Sequence, residues 1–146
     1  MSRIPRIQAV VLPILRDTFP NVKVSSWVED IDFREFPMLQ VRRLGGVRND
    51  RRPTQLGMQV IELTAYTTTG LVDTEQLYED ALEALYEAVH TQKQTDAGYL
   101  HSMKETMGAT QFSSLFQDSW RVQGLIQFGV RPRLSLIQAR STNATE

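Results

Sequence analysis

Leu77, Tyr78, Ala81, Leu82, Leu85, Ala88 and Val89 recur at helical spacing and make one apolar stripe. That pattern commits the stretch from about Asp73 to His90 to an amphipathic helix, which needs a second layer to cover it. Burying the stripe contributes about 1.5–3 kcal/mol for each large side chain. The rest of the same helix does nothing for an isolated domain. Six acids and no Lys or Arg lie between Asp73 and His90, and Glu75, Glu79, Glu83 and Glu87 fall four apart. A like-charge ladder of this kind costs about 0.2–0.5 kcal/mol per step, which the apolar stripe outweighs. Asp73 with Gln76 is expected to cap the helix start, and Val72 to staple onto Leu77.

The compensating charge lies elsewhere in the chain. Between Arg42 and Pro53 stand Arg42, Arg43, Arg48, Arg51 and Arg52 against Asp50 alone, so a net charge of −1 hides two blocks of opposite sign. A cationic loop that docks on a neighbour's acidic helix would use both blocks, because opposite potentials steer encounter and fix register. The charge pattern therefore points to assembly rather than catalysis.

Around the acidic helix the spacing predicts the remaining elements. Ile4, Ile7, Val10, Val11, Ile14 and Leu15 predict a first helix over residues 4–18, with Pro5 in its first turn and Pro13 kinking it or ending it early. Phe19-Pro20-Asn21 reads as a turn, and alternation from Val22 to Val28, broken by Lys23, Ser25 and Trp27, as a strand. A second strand over Met38–Leu44 is expected to break at Gly45-Gly46. A third, about Leu56–Thr68, is apolar on both faces, with Ile61, Leu63 and Ala65 on one and Met58, Val60 and Tyr66 on the other, and so belongs centrally. Thr95–Gly98 turns the chain into a fourth strand, about Tyr99–Met107, followed by a loop over Gly108–Asp118. The last strand, Trp120–Arg131, alternates Trp120, Val122, Ile126, Phe128 and Val130 inward with Arg121, Gln123, Gln127 and Arg131 outward, and Pro132 stops it. The order of elements predicts an α+β domain: a largely antiparallel sheet of about five strands with both helices packed on one face. Residues 1–132 are expected to form that one domain, and 133–146 a tail that a partner would order.

Catalytic chemistry finds no foothold in these residues. Zero cysteines exclude disulfides and thiolate chemistry and remove the commonest zinc ligand. His90 and His101 are the only histidines, and neither has a second ligand at recognisable spacing. Asp30 and Asp32 lack the spacing of a calcium loop, and Gly45-Gly46 lacks the Gly-Lys-Ser/Thr of a phosphate loop. The reading is a non-enzyme with no cofactor and no metal. No apolar run approaches the ~20 residues that cross a bilayer, and Met1–Arg16 is too interrupted by Arg and Pro for a secretory signal, so synthesis in a cytoplasm is expected. The arginine loop has three uses open to it: a protein partner, DNA passing nearby, or simple solvation. No aromatics interleave with it to stack bases. Phe112, Leu115 and Phe116 are open in the same way, as a cover over the sheet or as an anchor between subunits.

Several phrases of the chain resemble the tail-terminator proteins of long-tailed bacteriophages and the neck and tail-completion proteins related to them. They are Val10-Val11-Leu12-Pro13-Ile14-Leu15-Arg16 in an amphipathic opening helix and Phe36-Pro37-Met38-Leu39-Gln40-Val41-Arg42-Arg43-Leu44-Gly45-Gly46 in a strand that ends at a glycine pair. A long strand before an acidic helix, the strand end at Met103–Gly108 and a closing strand from Asp118-Ser119-Trp120-Arg121 to Arg131-Pro132 complete the match, over roughly residues 4–132. The resemblance implies a six-fold homo-oligomeric ring on the head-proximal end of the tail tube, which stops tube polymerisation and meets the head–tail connector. It implies a virion protein with tail-tube and connector partners and DNA passing through its lumen. By the same analogy Arg48, Arg51 and Arg52 are candidate contact residues and Glu79, Glu83 and Glu87 their mates across a subunit boundary; Phe112 and Phe116 join them as interface candidates on the anchor reading of their own cluster. The alternatives are another neck or head-completion subunit, or a nucleic-acid-binding module that uses the arginine loop.

Overall fold

In the computed structural model, residues 3–26, 35–113 and 119–134 are described. The first helix, α1 (Ile7–Thr18), buries Ile7, Val10, Val11, Ile14 and Leu15. It begins at Ile7 rather than Ile4 because the Gln59 side chain holds the entry extended. Its Nε2 donates to the Pro5 carbonyl (3.1 Å) and its Oε1 accepts from the Ile7 N–H (3.1 Å), with Arg6 at φ −66°, ψ 132°. Pro5 thus precedes the helix instead of entering its first turn. Nor does Pro13 end the helix early: α1 continues to Thr18, since burial of its stripe outweighs the one backbone hydrogen bond that proline removes.

The strands are β1 (Lys23–Ser25), β2 (Met38–Arg48), β3 (Gly57–Thr67), β4 (Gly98–Phe112) and β5 (Trp120–Pro132), with α2 (Leu71–Thr91) between β3 and β4. They form one sheet in the order β1-β2-β3-β5-β4, antiparallel except for the β1–β2 pair. As its apolar pattern predicts, β3 is the middle strand. Register fixes the core: Leu39 faces Ala65, Val41 faces Leu63, Ile61 faces Ile126 and Ala65 faces Val122. All are buried under α1 and α2, which pack side by side on this face of the sheet. The Arg16 guanidinium donates twice to the Val24 carbonyl (3.1 and 2.9 Å) and ties the end of α1 to β1.

Several boundaries differ from the sequence reading. β1 is only Lys23–Ser25, and the Trp27–Val28 part of the expected strand lies outside the described residues, as do Asp30 and Asp32. β2 does not break at the glycine pair. It runs through to Arg48, with a register shift between Arg43 and Gly46. Gly70, not Asp73, is the N-cap of α2, no side chain caps it, and Val72 is 77% exposed instead of stapled. β4 extends to Phe112 because its far half keeps pairing with β5 across three register shifts, so much of the expected loop is strand. Trp120, expected inward, is exposed at the first residue of β5. After β5, Arg133 pairs with Asp96 (3.0 Å) and the Leu134 N–H donates to Gln94 Oε1 (3.1 Å), which fastens the start of the expected tail to the α2–β4 turn. Residues 135–146 lie outside the described set.

Candidate functional site

The β2–β3 hairpin carries the arginines on a braced loop. Asn49 N–H donates to the Leu56 carbonyl (2.9 Å), and Asn49 Oδ1 accepts from the backbone N–H of both Arg51 and Arg52 (3.0 Å each). The Arg52 carbonyl accepts from Gln55 and Leu56, and Arg48 Nη1 donates to the Pro53 carbonyl (3.1 Å). Side-chain capping of this kind holds a turn open in one shape. Arg51 and Arg52 project from it into solvent. Arg42 is different, since it faces its register partner Glu62 across β2–β3 and pairs with it at 3.2 Å. The five-arginine block is therefore split by the strand: one member neutralised in the sheet, two at the tip, and Arg43 and Arg48 at the base.

At that base lies a concavity of about 240 Å³, lined in part by Arg6, Arg43, Arg48, Gly46 and Gln59. Arg6 enters from the segment ahead of α1, which Gln59 holds in place. The sequence reading did not single out Arg6, whose sequence neighbours give no hint of the hairpin; nor did it pick Arg43 from the arginine block as a contact residue.

The acidic ladder is where the periodicity predicts it. Tyr78, Ala81, Leu82, Leu85 and Ala88 are buried, while Glu75, Glu79, Glu83 and Glu87 stand on the exposed side of α2. Among the described residues no ion pair neutralises any of the four, and none joins Arg48, Arg51 or Arg52 to Glu79, Glu83 or Glu87. The acidic surface continues onto β4, where Glu105 Oε2 accepts from Tyr86 Oη at 2.8 Å. That bond, made to the protonated phenol, raises the Tyr86 pKa. Phe112 ends β4 half-buried beneath the Arg121 guanidinium, 5.3 Å from its ring centroid, so it packs within its own hairpin. Leu115 and Phe116 lie outside the described residues.

His90 and His101 are both exposed, and among the described residues no three His, Asp or Glu side chains gather as a metal site would require. No described helix is long and apolar enough to cross a membrane.

The chain is thus a small α+β subunit that carries an acidic helix face and an arginine-bearing hairpin tip, which no ion pair joins among the described residues. This chain belongs to the phage tail termination protein family, whose model matches residues 3–136. It is therefore a structural component of a phage tail. The chain is 60% identical over 139 residues to the Gene 22 protein of Mycobacterium phage L5, covering 93% of this chain and 100% of that protein. It is 58% identical over 133 residues to the Gene 22 protein of Mycobacterium phage D29, covering 90% of this chain and 96% of that one.

Proposed function

We propose that copies of this chain, assembled in the host cytoplasm, join into a closed six-fold ring on the head-proximal end of the tail tube. The ring ends tube growth and offers its outer surface to the head–tail connector. The observation that carries this reading is the exposed acidic ladder of α2, which among the described residues has no ion pair, beside the exposed hairpin arginines Arg48, Arg51 and Arg52, which among the described residues have none either. A cyclic ring needs a heterologous interface in which two different patches meet, and this pair supplies one. In the ring, the hairpin arginines Arg48, Arg51 and Arg52 meet Glu79, Glu83 and Glu87 of the neighbouring copy.

Native mass spectrometry at low and moderate salt tests the reading. The wild type should give a closed oligomer, alone or with tail-tube protein, and Glu79→Lys with Glu83→Lys should weaken assembly while leaving the unfolding transition near its wild-type position. A strict monomer in the presence of tail-tube protein would refute the ring. Normal assembly of the double variant would refute the charge pairing alone.

A second use of the same hairpin, contact with DNA in the lumen, is favoured by exposed Arg51 and Arg52, which among the described residues have no acid partner. It predicts duplex binding with a steep salt slope that is lost with Arg51→Ala and Arg52→Ala.

A further inference from the structure

The glycine pair of β2 changes which way the arginines point. Residues five apart on a regular strand face opposite sides of the sheet, so Arg43 and Arg48 would part company. Here Arg43 lies opposite Ile61, Gly46 opposite Gln59 and Arg48 opposite Gly57, so β2 spends one more residue than β3 over the same span. This is a β-bulge, and it returns Arg48 to the side on which Arg43 already sits. That side is the helical one: Ile61 is in the core, and a Cβ on Gly57 would meet the Ile4 side chain at 2.8 Å. Arg6, set by the Gln59 clamp on the chain entering α1, arrives at the same spot.

We propose that this concavity is an oxyanion socket in which Arg6, Arg43 and Arg48 hold a side-chain carboxylate of α2 from a second copy of the chain. The proposal rests on the ring reading and deepens it, moving the decisive contact from the hairpin tip to its base. Three arginines line one cavity and none of its nine lining residues is acidic, so an acid group brought in by a second copy would relieve the repulsion among them. Arg43 Nε and Arg48 Nη1 are held by the Gly45 and Pro53 carbonyls, and among the described residues the other nitrogens of both side chains have no acceptor. Guanidinium forks bind carboxylates bidentately. A carboxylate fits better than a nucleic-acid backbone: the space is a concavity of only about 240 Å³, and none of its lining residues is aromatic to stack a base. The exposed glutamates of α2, with no ion pair among the described residues, form the densest run of acid groups this chain has to offer.

The test compares wild type, Arg6→Ala with Arg43→Ala, and Arg6→Glu alone by native mass spectrometry and sedimentation, with a labelled DNA duplex in a parallel anisotropy titration. Arg6→Glu leaves the bulge and its Arg43–Gly45 bond untouched, so it reports on the socket even if the double variant folds poorly. Both variants should weaken assembly, raising its dissociation constant by at least about tenfold, and flatten its salt dependence. One of Glu79→Lys, Glu83→Lys or Glu87→Lys should restore assembly to Arg6→Glu. Wild-type assembly of Arg6→Glu would overturn the socket and leave the ring standing. A wild type that never assembles would overturn both. Loss of duplex binding with assembly unchanged would overturn the carboxylate in favour of phosphate.

Discussion

Gly46 sits at φ +102°, and a Cβ there would lie 2.5 Å from the Met58 carbonyl oxygen and 2.6 Å from Gln59 Cα. Both contacts are with backbone, which cannot swing aside. Gly46→Ala should therefore lower stability by about 1–3 kcal/mol in urea unfolding and weaken assembly beyond that loss, because it disturbs the bulge that aims Arg48. Tyr78 is the opposite case, a residue with something to lose. Its hydroxyl is buried over Gly124 and, among the described residues, has no hydrogen-bond partner. Tyr78→Phe keeps the packing and removes that unpaired oxygen, so it should stabilise by about 1 kcal/mol. Burial, helped by the charges of Glu105 and Glu79, also pushes the Tyr78 pKa far above its usual 10.0. The folded chain then keeps a proton that the unfolded chain loses, so this stabilisation is complete below pH 10 and drains away as the pH climbs toward the folded value. Urea titrations at about pH 8 and about pH 11 should show a larger loss for wild type than for Tyr78→Phe. Burial of the Tyr78 stripe was legible from its spacing. The exposure of Trp120, apolar and in phase with buried Val122, was not; Val72, three and seven residues before exposed Glu75 and Glu79, lies on the ladder side of α2, where the helical period itself puts it.

Elements were legible wherever period alone decides them. α2 follows from its stripe, and β3 from being apolar on both faces. Boundaries set by a partner strand were hidden: the far half of β4, rich in Thr, Gly and Gln, is strand because β5 lies beside it and not because of its own composition. The continuation of β2 through Gly45-Gly46 is hidden for the same reason. α1 tolerates Pro13 at the cost of one hydrogen bond to the Ala9 carbonyl, the position four residues earlier. Pro13→Ala should restore that bond and raise the thermal midpoint, a gain of about 1–3 kcal/mol by calorimetry. A loss of stability instead would mean that the half-buried proline ring is needed for packing against its neighbours.

For the whole molecule, charge segregation matters more than net charge. The ladder on α2 repels itself within one copy, and among the described residues no hairpin arginine pairs with it. Assembly that depends on joining these patches should weaken steeply between about 50 and about 300 mM salt, while the unfolding transition of the isolated subunit moves little, because screening removes attraction between copies and repulsion within one. Analytical ultracentrifugation beside thermal melts at the same salt concentrations checks both halves of that statement. The sequence alone determined the α+β class, the central strand, the buried stripe and the existence of two opposed charge blocks, because each follows from local periodicity or from counting charges along the chain. Only the tertiary structure decided that the block of five arginines divides into one neutralised by Glu62, a projecting tip and a base that shares a concavity with Arg6. That division depends on strand register across a bulge and on a glutamine from the middle strand clamping the chain ahead of α1, and register between distant segments leaves no period in the sequence.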